Sequence, residues 1–138
     1  MVTEVSPVLE EVRAWFENYL RAYAACCRGD SDDVGQLLDY YGVPLLLTTD
    51  ANALALSRSE DVVDVVGQQV ERLRAADYDR TTTLDSETSL LNATTALHRA
   101  DFSWLRADGS EIARLRVTYV ITDRVGGRRI SALVVGTP

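Results

Sequence analysis

At 138 residues, 46% of them hydrophobic and 25% charged, the chain suits one domain, residues 1–138, that buries enough surface to need no metal or disulfide. A net charge of -7 argues against a nucleic-acid partner, because phosphate binding needs a basic footprint. All 14 basic residues are arginine, which excludes Schiff-base chemistry and a phosphate-loop lysine.

No apolar run reaches the roughly 18 residues of a membrane span, so no membrane partner is expected. The start, MVTEVSP, lacks the basic stretch followed by an apolar one that marks an export signal. Cys26 and Cys27 are neighbours. On a helix they would point about 100° apart, poorly placed to bridge each other. Free thiols in a reducing compartment follow, and with them a cytoplasmic location.

In chain order, residues 8–28 predict an amphipathic helix, with Val12, Trp15, Phe16, Tyr19, Leu20, Tyr23 and Cys27 at three- and four-residue spacing and Gly29 as its stop. Ser31 is placed to cap a short second helix with Val34, Leu37, Leu38 and Tyr41 on its apolar side. Gly42 then takes a left-handed terminus and Pro44 prevents continuation. Residues 45–49 and 53–56 predict a hairpin. Ser57 and Glu60 have capping-box spacing for a third helix running to about residue 76, with Val63, Val66, Val70 and Leu73 on one side and Val62, Val65 and Gln69 widening it.

From residue 80 the hydrophobic period becomes two. Turn signals at Asn92 and Ala93, Asp108 and Gly109, and Gly126 and Gly127 divide the remainder into four long strands of an antiparallel meander. A meander of this length needs helices on one face. Taking Asp108 and Gly109 as a hairpin tip opposes Arg106 to Glu111, Trp104 to Ala113, Phe102 to Leu115, Ala100 to Val117 and His98 to Tyr119. A loop at 124–127 opposes Ile121 to Ile130, Tyr119 to Ala132 and Val117 to Val134. The face carrying His98, Ala100, Phe102, Trp104, Leu115, Val117, Tyr119, Ile121, Ile130, Ala132 and Val134 is nearly all apolar and is assigned inward. The face with Arg99, Asp101, Ser103, Arg114, Arg116, Thr118 and Ser131 is assigned outward.

This order of elements, with the YYGVPL run at 40–45 and RADGS at 106–110, resembles the nuclear transport factor 2-like superfamily over nearly the whole chain. That superfamily includes the SnoaL-like polyketide cyclases, ketosteroid isomerases and limonene epoxide hydrolases, and the chain looks like a branch outside these named enzymes. The resemblance implies an α+β fold: a cone-shaped half-barrel of curved antiparallel sheet with three helices on its concave face. It also implies a conical pocket and a homodimer formed through the outer sheet face. Fold alone licenses no activity.

His98 is the single histidine. Inward beside Tyr119, the two would make a general acid/base pair; the plain alternative is a hydrogen-bonded core histidine. One histidine and no clustered cysteines speak against a metal site, and no Gly-x-Ser-x-Gly elbow supports a serine triad. Trp15, Tyr19, Tyr23, Tyr41, Phe102 and Trp104 would line an aromatic pocket or simply fill the core.

Ketosteroid isomerases pair a helix-one tyrosine with an inward aspartate; residues 43–47 offer no carboxylate here. Arg99 and Asp101 resemble the Arg and Asp of limonene epoxide hydrolases, but residues 130–136 lack the second acid, and an exposed cross-strand pair explains them as well. Three functions remain: a binding domain for a small apolar ligand in the cone, an isomerase, cyclase or hydrolase of the SnoaL-like type, or a structural dimer with a filled cone. No cofactor is implied by any of them.

Overall fold

A computed structural model describes residues 7–138; residues 1–6, on which the expectation of no export signal rests, lie outside the described part. Helix α1, Pro7–Arg28, buries Val12, Phe16, Tyr19, Cys26 and Cys27. Gly29 ends it at φ 82°, with Gly29 N–H donating to the Cys26 carbonyl and Asp30 N–H to that of Ala25, as in a Schellman terminus. No described helix is long and apolar enough to cross a membrane.

The expected second helix is a 3-10 segment, Val34–Asp39. Asp33, not Ser31, occupies its N-cap position; the Ser31 hydroxyl instead accepts from Gln36 at 2.8 Å. Tyr41 and Gly42 belong to strand β1, Tyr41–Thr48, and Gly42 is not left-handed. A Cβ at Gly42 would lie 2.8 Å from the Arg124 guanidinium, which reaches across it to the Val43 carbonyl. Gly42 thus marks a close approach of a flexible arginine end to the strand, and not a helix end.

Strand β2, Ala53–Leu56, pairs with β1 through a turn closed by Thr49, whose hydroxyl accepts from the backbone of Ala51 and Asn52. Helix α2, Ser59–Ala75, begins one residue later than expected. Its N-cap position is Arg58, and no side chain caps it, so Ser57 is not the cap. Strands β3, Tyr78–Asn92, β4, Thr95–Arg106, β5, Glu111–Arg124, and β6, Gly127–Gly136, complete a sheet in the order β2-β1-β6-β5-β4-β3. The meander is antiparallel, while β1 joins β6 in parallel. The architecture is α+β: three helical segments cover one face of a curved, unclosed six-stranded sheet.

The β4/β5 register follows the expected pairs from His98↔Tyr119 to Trp104↔Ala113. At the hairpin end the register shifts and Glu111 meets Leu105 instead of Arg106. A second shift has the larger consequence. Ile121 pairs with Ile130, but Val120 pairs with Ala132, Tyr119 with Leu133 and Val117 with Val135. Ser131 is therefore an extra residue, a bulge, and beyond it every side chain changes face. Leu133 and Val135 point inward; Ala132 and Val134 leave the inner set, and Val134 is 48% exposed.

Candidate functional site

Between the helices and the sheet lies a cavity of about 190 Å³. Helix α1 contributes Tyr19, Leu20 and Tyr23, residues one turn apart on one side. Strand β1 adds Tyr41 and Leu47. The inner faces of β4, β5 and β6 add Phe102 and Trp104, Leu115, Val117 and Tyr119, and Leu133 and Val135. From α2 come Val65, Val66, Gln69 and Arg72, again at helical spacing.

The polar groups of this wall are four phenols, the hydroxyls of Thr49 and Thr81, the Trp104 indole, Gln69 and Arg72. The Tyr19 and Tyr41 hydroxyls are 2.6 Å apart, and the Tyr119 ring stands edge-on to Tyr19 with centroids 6.1 Å apart. Burial pushes Tyr19, Tyr23, Tyr41 and Tyr119 well above the ordinary phenol range, so all four are neutral at physiological pH. The pair Tyr19–Tyr41 shares one hydrogen bond, which leaves one hydroxyl proton for another acceptor. Among the described residues no carboxylate, imidazole or thiol is part of the cavity wall, so none of them supplies it with a proton acceptor working near neutrality.

Five of the six aromatic residues expected in the pocket wall line it: Tyr19, Tyr23, Tyr41, Phe102 and Trp104. Trp15 turns away and packs on Tyr40, with ring centroids 5.5 Å apart. Tyr119 lines the cavity but His98 does not. His98 is on the inner sheet face, as its register requires, and only 6% exposed. Its ring is covered by Phe16 at 4.1 Å, and its Nδ1 is 2.7 Å from the Thr88 hydroxyl. Burial chiefly, with the Arg13 and Arg99 charges, lowers its pKa to about 4.

Arg99 and Asp101 face the other way. Asp101 accepts from Arg116 Nε at 2.7 Å and Nη2 at 3.0 Å across β4 and β5, and Arg99 lies 3.3 Å from Asp85. The Arg116 guanidinium holds the Asp101 carboxyl below its usual range. Among the described residues no group of three His, Cys, Asp or Glu side chains is placed to hold a metal ion.

Leu133 and Val135 were missed because the Ser131 bulge hides them from a period-two reading. Arg72 was missed although Val65, Gln69 and Arg72 follow the helical spacing of the α2 stripe; its charge masked it.

Residues 10–138 match the model of the family described as NTF2-like protein (DUF6841). The chain belongs to this NTF2-like family. No curated protein matches it. Among solved structures it is similar to an NTF2-like protein with a cystatin-like fold from Novosphingobium aromaticivorans, with a TM-score of 0.70 and 12% identity over 93% of this chain and 80% of that one. It is also similar to a DUF3225-family protein of unknown function from Pectobacterium atrosepticum, with a TM-score of 0.68 and 18% identity over 96% and 91%. A third similar structure is the yeast UBP3-associated protein BRE5, with a TM-score of 0.69 and 14% identity over 96% of each chain. At these identities the likeness is one of fold. It fixes the NTF2-like architecture and leaves chemistry to the cavity itself.

Proposed function

We propose that this NTF2-like domain binds a small, largely apolar molecule in the cavity. The observation that carries the reading is the wall: apolar and aromatic side chains with neutral phenols and no acid or base suited to proton transfer. Size sets the scale of the ligand. An apolar cavity of about 150 Å³ takes up benzene, so 190 Å³ suits a single ring with a short substituent. Catalysis by His98 with Tyr119 would need Phe16 to swing away first, and Arg99 with Asp101 would have to act outside the cavity. Two free, buried cysteines accord with a reducing, cytoplasmic setting.

Val117→Phe tests the reading, because it puts a phenyl ring into the cavity. Binding of one-ring probes such as phenylacetamide, followed by calorimetry or ligand-observed NMR, should weaken at least tenfold. Stability should hold within about 1 kcal/mol, since the added volume enters a void. Undiminished probe binding in this variant would place the ligand elsewhere.

The open face of the sheet supports a second element of the proposal, a homodimer. Leu46 and Val134 are 45% and 48% exposed there, beside the Ala132↔Val120 pair, with none of the described helices over them. Leu133 and Val135, turned inward beyond the bulge, are not part of this face. Sedimentation at tens of micromolar should give about twice 15.2 kDa, and Val134→Asp should give the monomer. A monomeric wild-type protein would overturn the dimer.

A further inference from the structure

The chain has 21 acidic residues against 14 basic ones, yet among the described residues the one charged side chain in the cavity wall is a cation, Arg72. Among the described residues, eight of the fourteen arginines lie within 4.0 Å of a carboxylate. Arg74 lies 3.5 Å from Glu71 and 3.7 Å from Asp32, and Arg58 lies 3.4 Å from Asp61. Arg72 has no such partner. Its neighbours one helical turn away are Gln68 and Gln69 on one side and Ala75 and Ala76 on the other, so α2 supplies no acid at i±3 or i±4. Among the described residues no carboxylate comes within 4.0 Å of its guanidinium.

The geometry of that guanidinium is informative. Nη2 and Nε both donate to a single oxygen, Oε1 of Gln69, at 2.7 and 3.2 Å. Gln69 also lines the cavity. The forked edge that normally grips a carboxylate is here occupied by a neutral amide oxygen. Three of its five N–H donors remain for another acceptor. An anion arriving at the wall gains a charge-assisted bond without displacing an existing ion pair.

We propose that the ligand is a small amphiphilic anion: a one-ring apolar body within the cavity and a carboxylate, or a group of equal charge, held by Arg72. This rests on the ligand-binding reading and narrows it to a chemical class. The phenol pair Tyr19–Tyr41 supplies a neutral donor within the same wall, suited to a carbonyl or hydroxyl substituent on the ring.

Phenylacetate and phenylacetamide, equal in shape and different in charge, test it at pH 7.5. The wild-type protein should bind the acid about fivefold tighter than the amide, the scale of a charge-assisted bond at a partly solvated site. In 1 M NaCl that preference should shrink towards unity. Arg72→Gln should abolish the preference by weakening the acid more than the amide, with the melting temperature unchanged. Equal affinities in the wild type, or a preference that survives in Arg72→Gln, would overturn the anionic class while the cavity stands as a ligand site. Failure of both probes to bind would overturn the ligand-binding reading itself.

Discussion

Phe16→Ala should lower stability by about 3–5 kcal/mol, the range for truncating a large buried aromatic. Phe16 is 2% exposed and sits where α1 meets the sheet. Its ring lies 4.1 Å from that of His98, 4.7 Å from Tyr119 and 5.5 Å from Tyr19, so alanine would leave a void with three aromatic walls. Two of these neighbours, His98 and Tyr119, are held on the sheet and cannot collapse far into such a void, which puts the cost at the upper part of the range. Leu46→Ala on the open sheet face should change the monomer by less than about 0.5 kcal/mol. The comparison belongs in urea denaturation at protein concentrations where any dimer has dissociated, because subunit contacts add to apparent stability. Equal losses at the two positions would reverse the inward and outward faces.

The second large effect is a pH dependence. In the folded chain the His98 pKa is about 4, below the ordinary 6.5, because burial excludes the charged form. Between these values the unfolded chain holds the extra proton, so unfolding gains from acidity. The His98 contribution is complete above about pH 6.5 and is lost progressively as pH falls towards 4, by about 3 kcal/mol in total. Asp101, Asp108 and Glu111 have lowered pKa values, so their protonation acts at the acid end of this window. Stability against pH should therefore slope steeply in the wild type and flatten in His98→Gln. A flat wild-type profile from pH 6.5 to 4.5, or an NMR titration of the ring near 6.5, would put His98 in solvent.

Local chemistry made much of the fold legible. Gly29 ends α1 where its lack of a side chain permits φ 82°. The hairpin at Gly109 sets the β4/β5 register that carries His98, Ala100 and Phe102 inward. What depends on distant partners was not legible. Gly42 and Pro44 read as a helix stop, although their neighbours pair in parallel with β6, more than 80 residues away by the register Tyr41↔Ile130.

Ser131 looks like any outward strand residue, and nothing in its alternation announces a bulge. One inserted residue exchanged Leu133 and Val135 for Ala132 and Val134 in the inner wall. The site shows the same division. Period and register tell which face a side chain occupies, so Tyr19, Tyr23 and Phe102 were found. They do not tell depth, so His98 beneath Phe16 could not be told from a residue at the cavity surface.

A crystal of the wild-type protein soaked in phenylacetamide, the uncharged probe, tests the cavity most directly. The ring should appear between the aromatic side chains of Tyr19 and Phe102 and the aliphatic ones of Leu115 and Val117, with the wall otherwise unmoved. A cavity closed by Trp104 or α2, or one holding ordered water in place of the ring, would contradict a binding site for a small apolar body.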